Sequence, residues 1–147
     1  MNPLRVRFLH SDSPVTIAEP VLASAWPHVK RWLDAALDNE FSLLTSTDLF
    51  HAIANGKMAL RVVHIERVMV AAYVTEVVTG GRGSALNVIA LGGKRLREWI
   101  DPLRKAFDAE ARDNRCRMIV FMGRRGWRRI FAPYGYVAGP PTTVRML

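Results

Sequence analysis

The sequence predicts a single α/β (α+β) domain built on a mixed sheet covered by helices on its faces. Three observations carry this reading. The chain has 147 residues and is 50% apolar, which is the length of one domain with enough apolar surface for a core. Its apolar residues change spacing along the chain, from helical to alternating and back. The segment from Leu86 to Met122 reads as a strand–helix–strand crossover.

The elements follow in order. In 4–9, apolar and basic residues alternate as in a strand, then Ser11-Asp12-Ser13-Pro14 makes a turn. Between Pro20 and Leu37, the residues Trp26, Val29, Leu33, Ala36 and Leu37 fall at helical spacing. Pro27 is expected in the first turn of that helix, where its missing N–H costs nothing. Ser46-Thr47-Asp48 signals a second helix, which Asn55-Gly56 stops. Met58 to Ile65 and Val68 to Val78 flank Glu66-Arg67 as a hairpin. Gly80 to Ser84 reads as a loop, and Leu86 to Leu91 as a strand that ends at a Gly92-Gly93 turn.

Leu96, Trp99, Ile100, Leu103, Phe107 and Ala111 form the stripe of a long helix closed by Asn114-Arg115. Pro102 interrupts it. Either the helix kinks near Glu98, or it begins anew with Asp101 as its cap and Pro102 as its first residue. Met118 to Met122 is wholly apolar, the pattern of a strand at a sheet's centre. Gly126 to Phe131 reads as a short helix broken at Pro133. Tyr136-Val137 and Thr142 to Met146 read as last strands around Gly139-Pro140-Pro141.

Charge is uneven. Residues 1–93 hold eight basic and eight acidic side chains, whereas residues 94–129 hold twelve basic and five acidic. Most of the net +8 therefore sits in one third of the chain. Arginine outnumbers lysine 17 to 4, which favours bidentate contact with phosphate or carboxylate. This third is either a solvated basic face or a surface for an anionic partner, through Arg124, Arg125, Arg128 and Arg129.

Other signals exclude functions. One cysteine, Cys116, allows no internal disulfide and no Cys-based zinc site. It is either packing at a helix–strand junction or a thiol whose pKa Arg115 and Arg117 lower. His10, His28, His51 and His64 have no ligand-spaced partner, so no metal is expected. No apolar run reaches membrane-spanning length, and the N-terminus lacks the features of a signal peptide.

Three stretches together resemble the GNAT (N-acetyltransferase-like) superfamily, and in particular its short phage-encoded members. They are the hairpin Met58–Val78 after two helices, Val88-Ile89-Ala90-Leu91-Gly92-Gly93 before the helix with Leu96 and Trp99, and the stretch from Gly123 to Tyr136. The resemblance implies a mixed, mostly antiparallel sheet over residues 1–147. It implies an acetyl-CoA site whose pyrophosphate seat is Leu91, Gly92, Gly93, Lys94 and Arg95. It also implies Glu76 as the strand acid for amine deprotonation.

Three residues or motifs depart from the family pattern: the bare Gly92-Gly93 phosphate loop, Pro102, and Phe131 where many members carry a tyrosine general acid. These tilt the expectation toward a non-catalytic virion-associated or assembly protein in the virion or host cytoplasm. Its partners would be other virion proteins, nucleic acid or a second copy. The alternative is an acetyl-CoA-dependent N-acetyltransferase acting on an amine of a protein or small molecule.

Overall fold

The computed structural model describes residues 7–12, 14–39, 42–122, 125–137 and 145. The chain opens with a hairpin, β1 (Arg7–Asp12) and β2 (Val15–Glu19). The turn expected at Ser11–Pro14 joins the pair, with Asp12 at the end of β1 facing Val15 at the start of β2. The second strand escapes a sequence reading because it has five residues between two prolines. Val15, Ile17 and Ala18 are nevertheless buried.

Helix α1 (Leu22–Leu37) packs Ala25, Val29 and Leu33 into the sheet. Pro27 is its sixth residue, well inside the helix, where its ring removes the N–H that would reach Ala23. Helix α2 (Ser46–Ala54) starts with a capping box: the Asp48 amide donates to Thr45 Oγ1 while the Thr45 amide donates to the Asp48 carboxylate at 2.8 Å. Trp26 meets Phe50 edge-on at 5.0 Å and joins the two helices.

Strands β3 (Ala59–Ile65) and β4 (Val68–Gly80) pair about Glu66 and Arg67, both at positive φ as a tight hairpin turn requires. Strand β5 (Gly83–Gly93) returns antiparallel to β4. Helix α3 (Leu96–Asp113) crosses over, and β6 (Met118–Phe121) joins β5 in parallel. Helix α4 (Arg125–Phe131) and a 3₁₀ turn (Ala132–Tyr134) follow. The six strands lie side by side in chain order. One core, with Tyr73, Trp99, Leu103, Phe107 and Phe131, lies under α3. The other, with Val29, Leu33, Leu49, Val62 and Val74, lies under α1 and α2.

Helix α3 neither stops nor restarts at Pro102. Trp99 before it and Leu103 and Phe107 after it are buried in the same core. Burying each contributes about 1.5–3 kcal/mol, so one continuous stripe outweighs a proline cost of about 3 kcal/mol. Strand β6 sits at the edge of the sheet as described, not at its centre, with Met118, Val120 and Met122 exposed. Tyr136 and Val137 form no strand, and the expected strand at Thr142–Met146 lies outside the described residues.

Candidate functional site

The pairing of β5 locates the site. Val74 faces Ala90 but Thr75 faces Val88, so Ile89 is an extra residue, a bulge that bends β5. On its other edge, β5 pairs with β6 only from Ala85 to Val88. The Met122 amide makes the last bond of that pair, to the Val88 carbonyl at 3.0 Å. Beyond it β5 runs on to Gly93 without a strand on that side among the described residues. The two parallel strands thus part at Val88, and from Ile89 to Gly93 this edge of β5 pairs with no strand among the described residues, the arrangement that an extended ligand with amide groups of its own can complete.

The glycines expected to form a phosphate turn serve another purpose. Gly92 and Gly93 are strand residues facing Ala72 and Ala71. A Cβ on Gly92 would lie 2.5 Å from the Trp32 carbonyl oxygen, so its bareness lets α1 lie against the sheet. Gly93, at φ +151°, has no room for a Cβ against Ala71 and Val70. The Lys94 amide is also engaged, donating to the Val70 carbonyl at 2.8 Å.

The turn itself is Lys94-Arg95. Trp99 Nε1 pins it by donating to the Lys94 carbonyl at 2.7 Å, and Arg95 adopts the left-handed conformation at φ 62°. The amides of Arg95, Leu96 and Arg97 then stand at the start of α3 with no backbone acceptor among the described residues. Successive bare amides at such a turn suit an anion. The Arg95 guanidinium grips Glu98 with two hydrogen bonds and holds that carboxyl below its ordinary value. Leu91 itself is buried in the α3-side core.

Glu76 faces Asn87 across β4 and β5, and Asn87 faces Val120, just short of the point where the strands part. Its Oε2 is covered by protein and has no hydrogen-bond partner among the described residues. Phe131 is buried among the rings of Phe107, Phe121, Trp127 and Tyr136. It holds α4 to the sheet, as Trp127 does beside it. Tyr134 lies under the Arg104 guanidinium at 4.9 Å.

Arg128 and Arg129 are exposed on α4, whereas Arg124 and the Arg125 side chain lie outside the described residues. Of the two readings of Cys116, the lowered pKa is the one not found. Burial and the nearby Glu110 push its thiol up, despite its arginine neighbours.

One cluster escaped sequence reading. Arg61 on β3 and Glu110 on α3 are buried and 3.1 Å apart, and Thr75 donates to the same Glu110 oxygen at 2.9 Å. Its trace in the sequence is Glu110 on the apolar stripe of α3, three residues after Phe107. Among the described residues no cluster of His, Cys, Asp or Glu could hold a metal ion, and no helix is long and apolar enough to cross a membrane.

No protein-family model and no curated protein sequence matches the chain. Solved structures do match its architecture. A ribosomal-protein-alanine N-acetyltransferase from Brucella melitensis biovar Abortus 2308 superposes with a TM-score of 0.69 at 14% identity, over 90% of this chain and 99% of that one. An aminoglycoside acetyltransferase, meta-AAC0020, from an uncultured soil metagenomic sample gives 0.65 at 15%, over 92% and 96%. A predicted acetyltransferase with acetyl-CoA from Clostridium acetobutylicum gives 0.58 at 9%, over 74% and 77%. The fold is therefore that of the GNAT acetyltransferases.

Proposed function

We propose that the chain is an acyl-CoA-dependent N-acyltransferase acting on a primary amine. The observation that carries this is the parted strand pair, with β5 unpaired on that edge from Ile89 to Gly93 among the described residues, beside a helix start whose first amides have no backbone acceptor among them. The residues present fit the donor. The β5 edge takes its amide-bearing arm, and the amides of Arg95, Leu96 and Arg97, with the side chains of Lys94 and Arg97, take its phosphates. Bound acyl-CoA supplies an acyl group already activated as a thioester. The open edge orients it, which is where most of the rate acceleration comes from. Glu76, whose Oε2 lacks a partner, holds the acceptor ammonium and accepts its proton. Phe131 has no proton to give, so the departing thiolate takes one from water.

A second reading, a retired donor site in a protein that binds partners, is favoured by Phe131 alone. The virion or assembly role gains nothing from the structural likenesses. Calorimetry with acetyl-CoA, with desulfo-CoA and ATP as controls, tests the proposal. Micromolar binding of both CoA compounds, at least tenfold tighter than that of ATP, supports it, and failure of acetyl-CoA to bind at millimolar concentration refutes it. If acetyl transfer to an amine panel is then seen, Glu76→Gln lowers kcat with little change in acetyl-CoA affinity.

A further inference from the structure

A second concave site lies at the opposite end of β6 from the parted strands. It is a cleft of about 800 Å³ between the last two turns of α3, the start of β6 and the segment Tyr134–Val137. Clefts of this size hold small organic ligands. Arg112, Arg115 and Arg117 line it. None of the three has an acidic partner among the described residues. The one acid in the lining, Asp108, lies 3.8 Å from Arg104.

The arginines are placed by backbone bonds. At the end of α3 the Arg115 amide donates to the Arg112 carbonyl at 3.0 Å and the Cys116 amide to the Ala111 carbonyl at 2.8 Å. This motif puts its first residue past the cap in the left-handed region, where glycine is the usual occupant. Arg115 takes that position at φ 55°, so a charged side chain stands where the backbone favours none. Arg117 is tied across to the neighbouring turn, its Nη1 donating to the Arg82 carbonyl at 3.1 Å. The other lining groups are complementary in kind. Ala111, Met118 and Ile119 are apolar.

Three guanidinium forks beside an apolar wall match a molecule that carries phosphate on an organic body. We propose that this cleft is a binding site for a small phosphorylated ligand of the nucleotide class, separate from the open β5 edge. It does not depend on the acyl-transfer reading.

The test is calorimetry with ADP and with inorganic pyrophosphate, in the presence and absence of excess pantetheine, which carries the amide arm and no nucleotide. ADP binds, pyrophosphate binds more weakly, and excess pantetheine leaves ADP affinity within threefold. Arg112→Ser and Arg117→Ser each weaken ADP at least tenfold. Arg115→Gly weakens it similarly while the melting temperature holds or rises, because glycine suits the left-handed position. This separates loss of the ligand from loss of the fold. Failure of ADP and pyrophosphate to bind at millimolar concentration overturns the proposal. So does displacement of ADP by pantetheine, or unchanged ADP affinity in the three variants. Arginine-dependent binding of a single-stranded oligonucleotide without binding of ADP overturns it in favour of a nucleic-acid face.

Discussion

Replacing Gly92 by alanine destabilises the protein through helix α1, some sixty residues earlier in the chain. The new Cβ would stand 2.5 Å from the Trp32 carbonyl oxygen and 3.1 Å from its carbonyl carbon. Comfortable non-bonded contacts begin near 3.5 Å, so α1 and β5 must separate by roughly 1 Å at this point. Val29 and Leu33, both fully buried, resist that movement. Overpacking of this kind costs about 1–3 kcal/mol. For a chain of this length the melting temperature falls by roughly 2–12 °C. Thermal unfolding followed by circular dichroism measures it. Gly81→Ala is the matched control, since its Cβ meets nothing within 4 Å, and it stays within about 0.5 kcal/mol of the parent. Equal melting temperatures for the two variants would refute the close approach of α1 to β5. The same geometry makes any bulky residue at Gly92 a poor probe of cofactor binding, because lost affinity would follow from a displaced helix.

Other expectations follow from the same reading. Phe131→Tyr places a hydroxyl among four aromatic rings whose one acceptor is the Tyr136 hydroxyl, costs about 1–3 kcal/mol by denaturant unfolding, and does not accelerate acyl transfer. A tenfold gain in kcat would show that the ring is close to the leaving group after all. Arg61→Met leaves the buried Glu110 without its cation and costs about 3–5 kcal/mol, whereas the double variant Arg61→Met, Glu110→Leu recovers most of the loss. A single variant as stable as the parent would remove the ion pair from the account. His64 is partly buried, which lowers its pKa below 6.5, so the unfolded chain takes up the proton first. Its contribution is full above pH 6.5 and declines as pH falls from there toward the folded value. His64→Phe should flatten the stability profile between pH 7.5 and 5.5, and an unchanged slope would assign that titration elsewhere.

The order of elements could be read from local patterns because each is written in a few adjacent residues. The Glu66-Arg67 hairpin, the Asn55-Gly56 helix stop and the Trp99–Phe107 stripe all stand where alternation, capping or helical spacing puts them. The site was less legible, because what opens it is not a motif. The Ile89 bulge is a mismatch of register between two strands, visible only once Val74 and Thr75 are paired with Ala90 and Val88. Gly92-Gly93 misled for a related reason. Two adjacent glycines signal a turn locally, but here a helix backbone and a neighbouring strand need the space. Pro102 misled because a local cost of helix breaking was outweighed by burial on both sides of it. The Arg61–Glu110 pair joins residues 49 apart in sequence, and no spacing rule reaches so far.

A sheet whose strands lie in chain order also constrains how the protein assembles. From β1 to β5 each strand pairs antiparallel with its neighbour in sequence, and three of these four pairings are joined by tight turns. Such hairpins close within about 1–10 μs. Seating β6 is a different kind of event, since β5 and β6 are parallel and the whole of α3 must be carried across the sheet first. Loop closure makes it slower than the hairpins, as it does the pairing of β2 with β3 across residues 20–58. The four-residue edge strand β6 is also the cheapest part of the sheet to release, so amide exchange should begin there while β3 and β4 remain protected. The notch between β5 and β6 is thus bounded by the strand that is first to leave. A ligand lying along β5 would slow that exchange by closing the sheet from the other side.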